Sequence, residues 1–546
     1  MSKRKADNLE NAFSAQRPRQ IRKMGSHPVT TTIELSPQEA RLKDLLLDVA
    51  RYIDESQGSS GESVVLRWAG GWVRDKLLGI ASHDIDTAIN IMTGEAFSSK
   101  IVELCDQSEV AQKHGVSATD IGNLHKIAAN PEKSKHLETT TIRLLGFDVD
   151  FVNLRKETYT EDSRNPQMEF GTAMEDALRR DATINALFYN LNTGKVEDFT
   201  GGLEDMRSKL IRTPLEPYQT FVDDPLRILR LIRFATRLEF TIDPEAEQAM
   251  GDKRVLDTLR VKISRERVGV EVEKMLKGNH PRNALERIHK LGLYHTVFTD
   301  PEKPDIQQPD IQSFGVAYGL LDSLRQNKTP GSIYDVLVRS DEASYYAWVL
   351  AAVSPWEFVE QPPHSGQGKP PLPLATLAAR EGIKAPNKLC DVITASHKHR
   401  DEILALKAAV SEKAPYIQER DRFGMAIRRW EARGGHWRLQ VLSALLYDEL
   451  QAPQSGSKGS NDTTFIAGWQ QFLDHLQELD VMEAPSLKRI IDGKQLSKAL
   501  GARPGIWMSQ ALDICVAWQL RNPNITDPAG AIEEVQSKRE ALGIKN

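Results

Sequence analysis

Two aspartates one residue apart, Asp84 and Asp86, belong to a short Asp-Ile-Asp segment that suits a β-strand. Successive side chains of a strand point to opposite faces, so both carboxylates should lie on the same face. Two adjacent carboxylates repel each other, and a divalent cation between them relieves that repulsion. The pair therefore predicts a metal site built from oxygen ligands.

A glycine pair precedes these aspartates by a few residues. The apolar residues before the pair suit a strand, Gly70-Gly71 suits a turn, and Val73 to Leu78 suits a short helix. The turn exposes backbone N–H groups at a helix start, where an anion binds well. A phosphate-binding turn beside a pair of metal-binding carboxylates is typical of nucleotidyl transfer.

Further elements are needed to position these residues, and apolar periodicity predicts one small mixed sheet with helices around it. The predicted helices are Ser36 to Ile53 and Gly94 to Leu104, and the further strands are Thr139 to Leu145, Phe147 to Leu154, Leu187 to Leu191 and Val196 to Phe199. Gly201-Gly202 then predicts a hinge-like exit from the sheet.

A third carboxylate is expected from the strand that begins at Phe147. Asp148 and Asp150 share one face of this strand, so one of them could join Asp84 and Asp86. Ordinary surface alternation accounts for Asp148. Asp150 is flanked by apolar residues and is the preferred member of the trio.

A charged cluster precedes the strand at Leu187. It consists of Arg179, Arg180, Asp181 and Asn185. Such residues at a helix start often serve only solubility or the helix dipole. Their place just before a strand of the same sheet favours contact with phosphate and ribose hydroxyls instead.

From Asp224 onward the sequence is almost wholly helical. Arginines recur at three- and four-residue intervals, namely Arg227, Arg230, Arg233 and Arg237. A solvated helix face explains most ladders of this kind. Arg227 differs, because Asp224 lies three residues before it and the two side chains project together.

The pair Asp224 and Arg227 permits an argument about nucleotide bases. Cytosine and adenine each present an exocyclic amine beside a ring-nitrogen acceptor, whereas uracil and guanine present a carbonyl beside a ring N–H. A carboxylate with a guanidinium therefore accepts C and A. It rejects U and G, because each unsatisfied buried group costs about 1–3 kcal/mol.

The ordered motifs GGWVRD with HDID, RRDATINAL and DDPLR resemble those of class II tRNA nucleotidyltransferases, the CCA-adding enzymes, and the fungal members above all. The match is dense from Val64 to Leu238, with weaker similarity at Ile263 to Leu276 and near the C-terminus. The resemblance implies an α+β fold, in which a small N-terminal nucleotidyltransferase head with a mixed sheet precedes an elongated all-α neck, body and tail. The family's usual Glu is replaced by Asp223, which leaves the role of that position open.

The resemblance also implies roles for single residues. Mg²⁺ is the implied cofactor, held by Asp84 and Asp86, and Asp150 is the third catalytic carboxylate by strand position only. The residues implied to bind the nucleotide are Gly70, Gly71, Arg74, Asp75, Arg179, Arg180, Asp181, Asn185, Asp224, Arg227 and Arg230. The implied substrates are tRNA, CTP and ATP.

The same resemblance sets expectations for domains and for movement. The expected segments are a flexible basic leader at 1–35, the head at 36–200, a nucleotide-selecting neck at 201–290, a helical body at 291–415 and a tRNA-binding helical tail at 416–546. Thr158 to Met174 is polar and predicts a mobile loop that moves between C and A addition.

Basic clusters in the helical part are candidate contacts with RNA phosphates. They are Lys253, Arg254, Arg260, Lys262, Arg265 and Arg267, then His397, Lys398, His399 and Arg400, then Arg428, Arg429 and Arg433. Duplex RNA is recognised mostly through shape and phosphates, which suits such patches. A plain surface helix explains the first cluster equally well.

Composition limits the remaining possibilities. A chain of 546 residues is too long for one core, and its three widely spaced cysteines match neither a zinc site nor a disulfide framework. No apolar run is long enough to span a membrane, so a soluble protein without membrane contact is predicted. The protein is also expected to be a monomer. The basic leader is interpreted as either a solvated tail or a nuclear or mitochondrial address. The expected localisation is cytoplasm and nucleus, with a mitochondrial form left open.

Several alternative activities share these motifs. A poly(A) polymerase of the same superfamily has the same kind of catalytic head. An enzyme that adds only CC or only A is a second alternative. A catalytically inactive RNA-binding protein is the third, although the intact Asp84, Asp86 and Arg74 argue against it.

Overall fold

The computed structural model of this chain describes residues 32–57, 62–116, 125–127, 139–158, 167–303, 305–362, 371–451 and 463–544. Contacts between residues divide the chain into two compact units, Met1–Ile263 and Ser264–Asn546. Most of the predicted leader and the central part of the predicted mobile loop, residues 159–166, lie outside the described residues.

The N-terminal unit is built on a mixed sheet. Its strands are β1 (Leu66–Ala69), β2 (Asp84–Ile89), β3 (His125–Ile127), β4 (Thr139–Leu144), β5 (Phe147–Asn153), β6 (Arg155–Thr158), β7 (Gln167–Phe170), β8 (Leu187–Asn190), β9 (Lys195–Asp198), β10 (Leu210–Ile211) and β11 (Thr241–Ile242). Among the described residues, seven strands form the main sheet in the order β3-β4-β5-β2-β1-β8-β9, while β6 with β7 and β10 with β11 form small two-stranded sheets.

Helices surround and extend this sheet. They are α1 (Pro37–Gln57), α2 (Gly71–Leu77), α3 (Gly94–Cys105), α4 (Ser108–His114), α5 (Ala173–Leu178), α6 (Gly202–Arg207), α7 (Pro217–Asp223), α8 (Leu226–Leu238), α9 (Pro244–Met250) and α10 (Lys253–Lys262), with a short 3₁₀ turn at Thr183–Asn185. Helix α3 packs on β4 and β5 through Phe97, whose ring lies 5.3 Å from that of Phe151. The predicted α+β fold is confirmed.

The described part of the C-terminal unit is helical. Its helices are α11 (Arg265–Leu276), α12 (Pro281–Lys290), α13 (Tyr294–Val297), α14 (Phe314–Gln326), α15 (Ile333–Leu337), α16 (Asp341–Val353), α17 (Leu374–Leu377), α18 (Asn387–Glu412), α19 (Arg420–Glu431), α20 (Trp437–Gln451), α21 (Thr463–Glu478), α22 (Gly493–Ala499), α23 (Met508–Arg521) and α24 (Ala529–Ser537). Helices α22 to α24 share an apolar cluster that includes Leu496, Cys515 and Val535.

Two general properties concern the whole described chain. Cys105, Cys390 and Cys515 are all buried and free. Over the ranges described, no helix combines the length and the apolar character needed to cross a membrane.

The predicted hinge at Gly201-Gly202 is wrong. The carboxylate of Asp198 accepts hydrogen bonds from the backbone N–H groups of residues 200–203 at 2.9–3.1 Å. A side chain at Gly202 would place its Cβ 2.3 Å from the carbonyl oxygen of Thr183. The glycine is required for close packing, and the sheet continues into α6 through a tightly bonded turn.

Apolar residues recur at helical spacing across residues 256–276 and 333–353, and the structure divides each of these stretches between two helices. The pattern from Leu256 to Leu276 splits because Ile263 has an extended backbone, which separates α10 from α11. The pattern from Ile333 to Val353 splits where Ser340 caps α16, its hydroxyl accepting the Ala343 N–H at 3.0 Å. Apolar periodicity continues across both breaks, so it does not reveal them.

Candidate active site

Carboxylates from two neighbouring strands meet on one face of the main sheet. Strands β2 and β5 run parallel, and their register pairs Asp84 with Asp148. The same register pairs Asp86 with Asp150. Directly paired residues place their side chains on the same face, while Ile85 points into the core and is buried. Asp148, which surface alternation alone explained, therefore belongs to the same acidic patch.

This acidic patch affects the ionisation of Asp86. Burial raises the pKa of Asp86, the charges of Asp150 and Asp84 raise it further, and Arg180 opposes them. The side chain is nevertheless open to solvent on one side. Asp150 accepts a hydrogen bond from Thr141 Oγ1 at 2.5 Å. Where residues are described, no three His, Cys, Asp or Glu side chains converge into a metal-binding group.

The glycine turn lies against the charged cluster. Gly70 has φ 66°, a left-handed conformation that favours glycine, and an added Cβ would lie 2.7 Å from Arg180 Nη1. The N–H of Gly70 donates to the Leu187 carbonyl at 3.0 Å, so it is not available to an anion. Arg180 Nη1 donates to the Asn185 carbonyl at 3.0 Å. The structure thus brings Arg180 directly over the turn.

A polar network joins the helix after the turn to α8. Arg74 is buried and donates from Nη1 to Asn185 Oδ1 at 2.5 Å. Asn185 Nδ2 donates to Asp181 Oδ1 at 3.0 Å, and Arg230 Nε donates to Asp181 Oδ2 at 2.6 Å. Burial opposes ionisation of Asp181, but the charge of Arg230 and these hydrogen bonds hold its pKa well below the ordinary value. The structure therefore brings these four predicted residues together.

Asp75 extends the network to the far end of α8. It accepts hydrogen bonds from Arg74 Nε at 2.8 Å and from Arg237 Nη2 at 3.0 Å. The side chains of Arg230 and Arg237 remain 38% and 48% exposed, so this face of α8 is partly solvated while both arginines also bind carboxylates of the head.

Two buried carboxylates were missed by the sequence reasoning. Asp176, 1% exposed, accepts hydrogen bonds from Arg179 Nε at 2.9 Å and from Arg180 Nε at 3.1 Å. Glu157 on β6 accepts one from Arg179 Nη1 at 3.1 Å. Burial alone would raise the pKa of Asp176, yet the charges of Arg180 and Arg179 outweigh it and lower the pKa. The adjacent arginines Arg179 and Arg180 are the sequence signal that could have predicted a buried carboxylate nearby, because buried cations need an anionic partner.

The location of Arg179 and Arg180 corrects another expectation. They follow α5 at its C-terminal end rather than lying at a helix start. The helix begins instead at Thr172, which forms a reciprocal capping pair with Glu175.

The predicted base-reading residues Asp224 and Arg227 lie close together, and Arg227 also contacts other residues of the head. Arg227 is 8% exposed, and its Nε lies 3.9 Å from Asp224 Oδ2. Its Nη2 donates to the Arg179 carbonyl at 2.7 Å and lies 3.9 Å from Glu157. Beside the pair, burial raises the pKa of Asp223, which accepts a hydrogen bond from Gln219 at 2.7 Å.

Several proposed RNA contacts in the C-terminal unit have structural roles. Arg265 is buried and donates to the carbonyls of Gly382 at 2.8 Å and Val297 at 2.6 Å. Arg428 Nη1 donates to the Leu487 carbonyl at 3.2 Å. These guanidinium groups hold backbone segments together, and the burial of Arg265 makes the prediction of phosphate contact wrong for that residue.

Comparison with known proteins adds three findings. A family model described as the poly A polymerase head domain matches residues 66–212, and one described as a probable RNA and SrmB-binding site of polymerase A matches residues 239–306. The chain is 52% identical to the nucleotidyltransferase lcsQ of Purpureocillium lilacinum, covering 99% of this chain and 97% of that protein.

A second relative and a solved structure are also nucleotidyltransferases, and both are CCA-adding enzymes. The chain is 36% identical to the mitochondrial CCA tRNA nucleotidyltransferase of Saccharomyces cerevisiae, over 91% of this chain and 92% of that protein. A solved structure of a CCA-adding enzyme without ligands is 20% identical, has a TM-score of 0.62, and covers 92% of this chain and 96% of its own. At that identity the likeness concerns the fold alone.

Proposed function

This chain belongs to the class II tRNA nucleotidyltransferases, the CCA-adding enzymes, and we propose on that premise that it adds C, C and A in turn to the 3′ end of tRNA from CTP and ATP. The observation that carries the proposal is the in-register acidic patch on β2 and β5 beside the network of Arg74, Asp181 and Arg230. The first offers oxygen ligands to a cation, and the second offers positive charge to a triphosphate.

The residues present fit a magnesium ion. Asp84 and Asp86 supply hard oxygen donors. Burial raises the pKa of Asp86, and the charges of Asp150 and Asp84 add a repulsion that a cation would relieve. Mg²⁺ is usually held by one or two carboxylates together with substrate phosphates and water, so a larger protein cage is not needed. When bound, Mg²⁺ would make the attacking hydroxyl more acidic and neutralise charge on the triphosphate. Asp150 is proposed as the third carboxylate.

The chain's own residues then orient the reaction. The 3′-hydroxyl oxygen of tRNA forms a bond to the α-phosphorus and gives up its proton to solvent. The bond from that phosphorus to the bridging oxygen breaks, and pyrophosphate leaves with its electron pair. Gly71, Arg74 and Arg180 are proposed to hold the triphosphate, and Gly70 is proposed to shape the turn through its left-handed backbone. Asp181 and Asn185 are proposed to hold the ribose, since both already occur in one fixed network.

Base selection is proposed to reside in Asp224 and Arg227. Arg227 lies in a largely buried environment, where an unmatched hydrogen-bonding group is costly, so U and G would be rejected. The bond from its Nη2 to the Arg179 carbonyl fixes the guanidinium plane. Arg179 is therefore proposed to act in nucleotide binding through its backbone as well as its side chain.

Within the predicted loop Thr158 to Met174, Gln167–Phe170 forms β7 and α5 begins at Ala173. The loop that joins β6 to β7 is proposed to move between the addition of C and of A. Its flanking strands carry Glu157, which lies beside both Arg179 and Arg227, so the loop is connected to the base-reading pair. Trimming residues 160–165 should spare CC addition and impair the final A. Equal loss of both steps would contradict the proposal.

The proposal also covers the domain bounds, the oligomeric state and the localisation. The head, neck, body and tail are proposed at 36–200, 201–290, 291–415 and 416–546. The protein is proposed to act as a monomer, with tRNA bound in part by the tail. Its proposed localisation is the cytoplasm and nucleus, together with a mitochondrial form.

One experiment separates the candidate activities. The protein is incubated with tRNA lacking the whole CCA end, tRNA lacking only the final A, and complete tRNA, with each nucleotide alone and with all together. Growth by only the missing residues supports CCA addition. A long A tail would identify a poly(A) polymerase, arrest after CC or growth restricted to A would identify a partial enzyme, and absence of growth would leave a binding protein.

A further inference from the structure

The aromatic ring of Phe234 lies among three arginines, of which Arg74 and Arg230 belong to the proposed nucleotide site. The guanidinium carbon of Arg233 lies 4.4 Å from the ring centroid, that of Arg230 lies 5.5 Å away and that of Arg74 lies 5.6 Å away. Arg74 belongs to α2, whereas the other two belong to α8. One ring therefore contacts cations from both elements that border the site.

These distances permit a favourable cation–π interaction. The negative face of an aromatic ring attracts a cation within about 6 Å of its centroid, and the attraction grows as water is removed. Phe234 is only 4% exposed, so its ring is largely dehydrated. Since like charges repel, the ring offsets part of the repulsion among the three guanidinium groups.

Carboxylates in the same network also bind Arg74 and Arg230. Asp181 binds Arg230 at 2.6 Å, while Asp75 binds Arg74 at 2.8 Å and Arg237 at 3.0 Å. A further carboxylate in the place of the ring would position the arginines equally well, but it would cancel the charge that a triphosphate needs. An uncharged ring orients the cations and leaves their charge in place.

We propose that Phe234 is a positioning residue for nucleotide binding, whose ring face fixes Arg74, Arg230 and Arg233 for contact with the triphosphate. This inference rests on the proposed function, because it presumes that these arginines face CTP and ATP. The ring contacts these arginines and is proposed to act through them.

The test replaces Phe234 with phenylalanine analogues that carry one, two or three fluorine atoms. Fluorination nearly preserves ring shape and progressively weakens the negative face. The same series at Phe97, whose ring packs against Phe151, is the matched control for changes in apolar packing. Equilibrium binding of CTP is measured by calorimetry, and KM and kcat are measured by single CTP addition to tRNA.

The expected result is a stepwise weakening of CTP binding and a matching rise in KM, about tenfold for the trifluorinated ring. The kcat should change less than about twofold, and the Tm should follow the Phe97 series. A flat binding and KM series at Phe234, or a fall in kcat alone, would overturn the inference. If the unmodified protein binds CTP without extending tRNA, the proposed function fails while the binding series still decides the role of the ring.

Discussion

Replacement of Asp176 by Asn tests whether the buried carboxylate holds the charged cluster in place. Asp176 is 1% exposed and binds both Arg179 and Arg180, whose side chains are 16% and 17% exposed. Removing one partner of a buried ion pair costs about 3–5 kcal/mol, because the remaining charges stay buried without compensation. Asn keeps one acceptor oxygen, so the lower limit of about 3 kcal/mol is expected.

The pH dependence of this effect follows from the lowered pKa of Asp176. Because its pKa is lower in the folded protein, the stabilisation is fully present above the unfolded value of about 3.9. It is lost only as the pH falls through the lower folded value. The difference between Asp176→Asn and the wild type should therefore be constant from about pH 6 to pH 8 and should shrink under strongly acidic conditions.

Hydrogen exchange as a function of urea is the appropriate assay, since two compact units need not unfold together. Peptides covering Leu187–Asn190 report on the N-terminal unit. With a urea dependence of about 3 kcal/mol per molar, the midpoint should fall by about 1 M. Glu204→Gln is the matched control, because its ion pair with Arg207 is exposed and contributes less than about 1 kcal/mol. A loss for Asp176→Asn as small as that of the control would refute the reasoning.

Three further substitutions give separate tests. Asp84→Asn should slow CTP addition by about two to three orders of magnitude without altering urea unfolding, and an unchanged rate in tRNA extension would contradict the metal assignment. Arg227→Lys should reduce the preference for CTP over UTP by about 10- to 100-fold in a competition assay, and an unchanged ratio would remove Arg227 from base selection. Gly202→Ala should lower stability by about 1–3 kcal/mol, because its Cβ would meet the Thr183 carbonyl at 2.3 Å, and unaltered urea unfolding would show that the turn can relax.

Short-range patterns predicted the elements of the head well. Alternation along the strand placed Asp84 and Asp86 on one face, and the turn and strand signals around them match the structure. Pairing between strands that are distant in sequence could not be predicted from such patterns. The parallel register that brings Asp148 beside Asp84 depends on contacts far apart in sequence, which the pattern of one strand does not contain.

Burial of charged residues was the main feature that sequence patterns missed. Asp176 and Glu157 look like ordinary surface residues in a polar stretch, yet they neutralise arginines inside the head. Conversely, Arg265 looked like a candidate phosphate contact and instead binds backbone carbonyls. Hydropathy ranks each side chain by itself, whereas its burial is decided by the partner it finds in three dimensions.

The three buried cysteines give the molecule built-in chemical reporters. Burial raises the pKa of Cys105, and it raises those of Cys390 and Cys515 to about 11, so very little reactive thiolate exists at neutral pH. A thiol-specific reagent can therefore modify them only after the surrounding helices open. Cys105 on α3 reports on the N-terminal unit, while Cys390 and Cys515 report on two helices of the C-terminal unit. Alkylation rates at the three sites would map local opening without a single engineered label.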